Sequence, residues 1–159
     1  MLRIGEGYDI HRLVAGRPLK LGCVEVAFER GSLGHSDGDA AAHAVCDALL
    51  GAVGLGDMGR FFPSSDPRWE GADSRVFLRE VARLVAEASA ELVNVDVTIV
   101  MEKPRLAPYL DAMRAAVAAA LGVEASRVCV KAKSADGLGP VGSGEAVEAR
   151  AVALVEVRA

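Results

Sequence analysis

All three histidines of the chain lie near its start, and each has aspartates close by. The cluster comprises Asp9, His11, His35, Asp37, Asp39, His43 and Asp47. Alternate side chains of a strand share one face, so Asp9 and His11 could hold one metal ion together. A catalytic zinc typically takes three protein ligands, and His35 and His43 are the two candidates for the third. These residue types favour a divalent metal site without identifying its chemistry.

The length and composition predict a single domain over residues 1–159. No apolar run approaches the roughly 20 residues that cross a bilayer, so we expect no membrane association. The three cysteines form no Cys-x-x-Cys pair and no secretion signal opens the chain, which favours free thiols and a cytoplasmic location. The net charge of -4 disfavours a nucleic-acid partner.

Hydrophobic periodicity predicts the elements that must position these side chains. Strands are predicted over 2–13, 92–101, 127–132 and 145–157, a hairpin over 18–28, and helices over 39–54, 73–90 and 108–121. Asp39 suits the N-cap of the first helix. Residues 56–73 have no period and are predicted as an irregular loop, and a Gly-rich turn precedes the last strand.

The order of these elements predicts an α+β fold, a two-layer sandwich. About four main strands form a mixed sheet with helices on one face, and the hairpin is small and peripheral. Solvent-tolerant side chains or another subunit would have to cover the second sheet face. Oligomerisation is therefore expected.

A set of motifs along the whole chain resembles one enzyme family. The motifs are GYDIH at 7–11, HSDGD at 35–39 with His43, DMGRFFP at 57–63, GADS at 71–74, NVDVTI at 94–99, MR at 113–114 and VKA at 130–132. They resemble the 2-C-methyl-D-erythritol 2,4-cyclodiphosphate synthases. The resemblance implies a phosphorus-oxygen lyase of non-mevalonate isoprenoid biosynthesis, which converts 4-diphosphocytidyl-2-C-methyl-D-erythritol 2-phosphate to the cyclic diphosphate and releases CMP. It also implies a homotrimer with active sites at subunit interfaces.

The resemblance divides the histidines between two roles. It implies that Asp9, His11 and His43 hold Zn²⁺, with the fourth position left for a substrate phosphate oxygen. His35 is then not a ligand. Together with Ser134, it would polarise phosphate oxygens and stabilise the transition state.

A second divalent cation, Mg²⁺ or Mn²⁺, is implied at the substrate diphosphate and would be held by Asp136. The 2-phosphate of the substrate attacks its own β-phosphate, so two anions must approach each other. Two cations offset that repulsion, and bending of the substrate removes much of the entropic penalty of ring closure. No protein nucleophile is needed.

The implied substrate-binding residues form two groups. The group near the metal and the methylerythritol phosphate comprises Asp9, Ile10, His11, His35, Ser36, Asp57, Met58, Gly59, Phe62, Pro63, Ser64, Ser65 and Asp66. The group facing the cytosine and the nucleotide phosphates, from a neighbouring subunit, comprises Met101, Glu102, Lys103, Pro104, Arg105, Leu106, Ala107, Lys133, Ser134, Ala135 and Asp136.

Several positions depart from the family pattern. Ser134 replaces the usual threonine and Asp136 a common glutamate, and both keep the functional group. Pro140 and Ser143 stand where members often carry Phe and Arg beside the central cavity of the trimer. Asp47 has two open interpretations, a residue that orients the ring of His43 or an ordinary aspartate on a helix surface.

Two other functions are compatible with the metal residues alone. A zinc phosphohydrolase would use a metal-bound hydroxide as its nucleophile. A non-catalytic metal-binding trimer would use zinc only as a structural ion, although structural zinc sites are usually rich in cysteine.

Overall fold

A computed structural model describes residues 1–158 of the chain. The strands are β1 (Leu2–Ala15), β2 (Leu19–Leu21), β3 (Val24–Val26), β4 (Arg30–Ser32), β5 (Ala90–Val100), β6 (Val128–Lys133) and β7 (Ala146–Val157). The helices are α1 (Ala40–Ala52), α2 (Met58–Phe61), α3 (Ser74–Glu87), α4 (Leu110–Leu121) and α5 (Gly139–Gly142). Short 3₁₀ helices span Pro67–Trp69, Ala107–Tyr109 and Ala125–Arg127. Within the described residues, no helix is long and apolar enough to cross a membrane.

One mixed sheet of five strands, in the order β4-β1-β7-β5-β6, forms the centre of the fold. β5 and β6 are parallel, and the other neighbours are antiparallel. The long helices α1, α3 and α4 pack on the sheet, and β2 and β3 form a separate hairpin. The predicted α+β class, mixed sheet and hairpin are confirmed. The prediction missed β4, because its sequence Arg-Gly-Ser carries neither an apolar run nor a β-branched residue.

Asp39 is the N-cap of helix α1, as predicted, and its carboxylate also fixes the hairpin. One oxygen, Oδ1, accepts hydrogen bonds from the backbone N–H groups of Ala42 at 3.0 Å and Gly22 at 2.8 Å. The other, Oδ2, accepts from the N–H of Cys23 at 2.6 Å. Asp39 is completely buried, so its N-cap role includes joining the hairpin turn to the start of α1.

Two glycines of β1 allow α1 to lie directly on the strand. A methyl group at Gly5 would lie 1.9 Å from the carbonyl oxygen of Ala48, and one at Gly7 would lie 1.9 Å from that of Ala44. Both glycines are on the buried face of β1. Because Asp9 follows on the same face, these glycines set the distance between α1 and the predicted metal ligand.

Replacement of Gly7 by alanine is expected to destabilise the fold by at least about 2 kcal/mol, because the new methyl group meets backbone that cannot move aside. Urea unfolding of the purified variant measures this loss. Gly51→Ala is the matched control, because a methyl group there meets no atom within 4 Å. Because Gly51 is exposed and lies within α1, this variant should gain roughly 0.5–1 kcal/mol in free energy of unfolding. Equal stabilities for the two variants would contradict the close approach.

The predicted irregular loops contain short helices, so those two predictions were partly wrong. Residues 56–73 include α2 and the 3₁₀ helix Pro67–Trp69, and the Gly-rich turn includes α5. The carboxylates of Asp57 and Asp66 accept hydrogen bonds from the backbone N–H groups of Arg60 and Arg68, at 3.2 and 3.0 Å. Capping starts these single turns, which are too short to show a hydrophobic period.

Candidate active site

A cavity of about 250 Å³ lies where the second half of β1 meets the start of α1. It is lined by Asp9, His11, His35, Ser36, His43, Asp47, Met58, Phe62, Ser64, Trp69 and Phe77. Strand β1 contributes Asp9 and His11, and α1 contributes His43 and Asp47. The segment 58–69 closes one side of the cavity. The cavity therefore unites parts of the chain that are distant in sequence.

Three of these side chains direct their ligand atoms to one point. The Nε2 atom of His11 and the Nδ1 atom of His43 each lie 2.9 Å from Oδ2 of Asp9, and the two nitrogens are 3.4 Å apart. Of the His, Cys, Asp and Glu side chains in residues 1–158, this is the one group of three or more that could hold a metal ion. Three N or O donors at one corner of a cavity fit a metal with an open coordination position.

The hydrogen bonds within this group keep Asp9 ionised, and the protons that His11 and His43 donate to it must leave when a metal binds. Burial would raise the pKa of Asp9, but the hydrogen bonds from His11 and His43 outweigh it and lower that pKa to about 2. Burial lowers the pKa of His11, but the hydrogen bond and the negative charge of Asp9 outweigh it and raise that pKa overall. The Nδ1 atom of His11 lies 2.8 Å from the carbonyl oxygen of Leu33 and can donate to it, which leaves Nε2 for a metal.

His35 lines the same cavity without joining the metal group. Its Nε2 atom is 3.0 Å from the carbonyl oxygen of Asp66. Since a carbonyl oxygen only accepts, Nε2 carries a proton, and Nδ1 is the atom left for another partner. The backbone N–H of Gly71 donates to the carbonyl oxygen of His35 at 2.8 Å and ties this loop to the segment before α3.

Asp47 has a contact that neither sequence interpretation included. Its Oδ1 atom accepts a hydrogen bond from the backbone N–H of Met58 at 2.8 Å, and its side chain is half-buried. Burial raises the pKa of this carboxyl group. The residue anchors the first turn of α2 beside the cavity, which differs from both interpretations.

An aromatic wall of the cavity was not predicted from the sequence. The ring of Phe62 lies 5.3 Å from that of Trp69, edge to face, and 4.7 Å from that of Phe77. Phe62 was predicted to contact the substrate, whereas the sequence predicts only an ordinary buried helix position for Phe77. The only signal in the sequence for Trp69 was that the one tryptophan of the chain lies in a polar segment.

A second cavity, of about 750 Å³, lies between the segment after β5 and the end of β6. It is lined by Phe28, Met101, Glu102, Lys103, Pro104, Arg105, Leu106, Ala107, Leu110, Ala132, Lys133 and Ser134. Nine of these residues were predicted to contact the nucleotide, and the additional ones are Phe28, Leu110 and Ala132. The two cavities of one chain have no lining residue in common.

Glu102 holds the loop that carries the predicted phosphate-binding residues. Its Oε2 atom accepts from the backbone N–H groups of Ala135 at 3.1 Å and Gly137 at 3.4 Å. Asp136 lies between them in a left-handed conformation with φ 55°. Asp136 and Ser134 are both exposed to solvent, and neither Ala135 nor Asp136 lines the cavity.

The remaining predicted residues lie around the first cavity rather than in its wall. These are Ile10, Asp57, Gly59, Pro63, Ser65 and Asp66. Ile10 alternates to the opposite face of β1, where it is 44% exposed, so only its backbone can take part. His35 and Ser134, the two predicted catalytic residues, line different cavities and do not meet within one chain.

Comparison with known proteins links this geometry to one family. A model of the YgbB family matches residues 2–156. The 2-C-methyl-D-erythritol 2,4-cyclodiphosphate synthase of Laribacter hongkongensis is 55% identical over 157 residues, which are 99% of this chain and 97% of that protein. The enzyme of the same name from Burkholderia thailandensis is 57% identical and covers 96% and 94% of the two chains. A solved structure of such a synthase in its CDP-bound form is 43% identical, with a TM-score of 0.88 and coverage of 97% and 100%.

Proposed function

The chain belongs to the YgbB family of 2-C-methyl-D-erythritol 2,4-cyclodiphosphate synthases, and we propose how its two cavities share the reaction. The enzyme is a lyase of the non-mevalonate pathway. It converts 4-diphosphocytidyl-2-C-methyl-D-erythritol 2-phosphate to the cyclic diphosphate and releases CMP. In this proposal it acts on a phosphorus-oxygen bond in the cytoplasm. Its substrate is a cytidine diphosphate, a class that agrees with the CDP bound to the related synthase.

The convergence of three ligand atoms in the first cavity carries the proposal. Asp9, His11 and His43 would hold Zn²⁺, since one carboxylate oxygen and two ring nitrogens already surround one point. When bound, the ion supplies positive charge to a substrate phosphate oxygen. The ionised carboxylate of Asp9 favours cation binding, in agreement with its low pKa of about 2.

His35 and Ser134 would stabilise the charge that develops as the 2-phosphate attacks. The hydrogen bond to the carbonyl oxygen of Asp66 holds one proton on Nε2 of His35, so Nδ1 faces the substrate and would donate to a phosphate oxygen when the ring carries a second proton there. The exposed hydroxyl of Ser134 would donate to the diphosphate. Asp136 would hold Mg²⁺ or Mn²⁺ there with substrate oxygens as further ligands, because such ions are often held by one carboxylate and phosphates.

The separation of the two cavities supports a homotrimer with active sites between subunits. Residues for the methylerythritol phosphate line one cavity and residues for the nucleotide line the other, so a neighbouring copy would complete each site. The sheet face away from the helices exposes Ile4, Tyr8, Ile10 and Val152. An apolar set on an uncovered sheet face suits contact with another copy.

Incubation with the cytidyl diphosphate substrate, with zinc and magnesium omitted in turn, tests this function. The expected products are the cyclic diphosphate and CMP, identified by mass, and omission of either metal from chelator-treated enzyme should stop their formation. A linear hydrolysis product would instead indicate the zinc phosphohydrolase. The names of the relatives support neither that enzyme nor the non-catalytic trimer. Full activity of the metal-free enzyme would contradict the proposed metal roles.

A further inference from the structure

A chain of hydrogen-bonded side chains lies behind the proposed metal site. It runs from Asp37 through Ser74 to the ring of His43, on the side of the ring away from Asp9. The hydroxyl oxygen of Ser74 is 2.5 Å from Oδ1 of Asp37 and 3.1 Å from Nε2 of His43. Ser74 is the first residue of α3 and is completely buried, so water does not compete for its hydroxyl group.

The chemistry of the partners fixes the direction of these hydrogen bonds. An ionised carboxylate only accepts, so the hydroxyl proton of Ser74 points to Asp37. Two backbone N–H groups hold Asp37 in place, that of Ser74 at 2.8 Å from Oδ2 and that of Asp39 at 3.1 Å from Oδ1. The oxygen of Ser74 can therefore offer only lone pairs to His43, and Nε2 of His43 must supply the proton.

A proton on Nε2 determines which nitrogen of a neutral His43 can bind a metal. The lone pair is then on Nδ1, the atom that faces Asp9 and His11. We propose that Ser74, oriented by Asp37, is a positioning residue that fixes the ring and the tautomer of His43 for metal binding. Partners of this kind orient metal-bound histidines in general. The inference rests on the proposed metal site at Asp9, His11 and His43.

Ser36 provides a matched comparison for Ser74. Its hydroxyl oxygen lies 3.2 Å from the same Nε2 atom of His43. Its other hydrogen bond is a long one, 3.5 Å, from the backbone N–H of Gly38, and no carboxylate of the described part of the chain accepts from it. The proton of Ser36 is thus free to rotate, whereas that of Ser74 is held by Asp37.

Zinc affinity, measured by competition with a chromophoric chelator, tests the role of Ser74. Ser74→Ala is expected to bind Zn²⁺ roughly 10- to 100-fold more weakly than the wild type. Ser36→Ala, the control, should be much less affected, and Ser74→Thr, which keeps the hydroxyl group, should restore most of the affinity. Wild-type affinity in Ser74→Ala, or an equal loss in Ser36→Ala, would overturn the proposal.

NMR of the zinc-loaded wild type, labelled with ¹⁵N-histidine, gives a second readout that needs no variant. The Nε2–H signal of His43 should exchange slowly with water and show an NOE to the β-protons of Ser74. Fast exchange would overturn the proposal even if no Ser74 variant folds. If the wild type binds no zinc, the proposed metal site fails and this inference fails with it. If the wild type binds zinc and Ser74→Ala binds it equally well, only the role of Ser74 is lost.

Discussion

Replacement of His43 by alanine is expected to abolish stoichiometric zinc binding and to lower kcat/KM by at least about a thousand-fold. The side chain supplies one of the three converging ligand atoms, and Asp9 and His11 alone leave a carboxylate and one ring nitrogen. Two ligands hold a cation weakly, so the phosphate charge in the active site would stay uncompensated. Metal analysis of the purified variant and steady-state assays at saturating magnesium measure both effects.

His35→Ala is the matched control for this experiment. The residue lines the same cavity but lies outside the group of ligands, so this variant should keep its zinc and lose turnover by about 100- to 1,000-fold. Circular dichroism and thermal unfolding check that both variants remain folded. If His43→Ala failed to fold while a folded His35→Ala kept full turnover, the zinc would be structural and the catalytic interpretation of the cluster would be wrong.

The pairing of Asp9 with His11 follows from strand alternation alone, and the structure places both on the buried face of β1. The same reasoning leaves His35 and His43 equal as the third ligand. Their difference comes from the contact of α1 with β1, which brings His43 to 2.9 Å from Asp9. Gly7 permits that contact, but a glycine in a sequence does not reveal which element lies against it.

Contacts that depend on tertiary structure account for most of what the sequence did not predict. Asp47 binds the backbone of Met58, and Ser74 lies beside the ring of His43, which is 31 residues away in sequence. From sequence, a hydroxyl group at the start of a helix predicts only a capping role. The packing of α3 against α1 is what brings the hydroxyl group of Ser74 to the proposed metal site. The resemblance to a family implies roles for individual residues, but it does not reveal contacts such as those of Asp47 and Ser74.

Mixed trimers made from two inactive variants are expected to recover about a third of the wild-type activity per trimer, if each site combines the metal group of one chain with Ser134 of the next. Co-expression of His43→Ala and Ser134→Ala chains that carry different tags, followed by purification on both tags, isolates the mixed species. In a cyclic trimer with two chains of either kind, one interface in three pairs an intact metal group with an intact Ser134. The homotrimers of each variant should be nearly inactive, since each site lacks one half.

The matched control mixes two variants that damage the same cavity, His43→Ala and Asp9→Asn. Each lacks a ligand from the same group, so no interface in their mixed trimers regains all three, and activity should stay at the level of the parents. Size-exclusion chromatography with light scattering checks whether every sample has the mass of the proposed trimer. Recovery in this control would show that the activity came from contaminating wild-type enzyme. If the His43→Ala and Ser134→Ala mixture showed no recovery, both halves of the site would belong to one chain. A movement within the subunit would then have to bring the two cavities together.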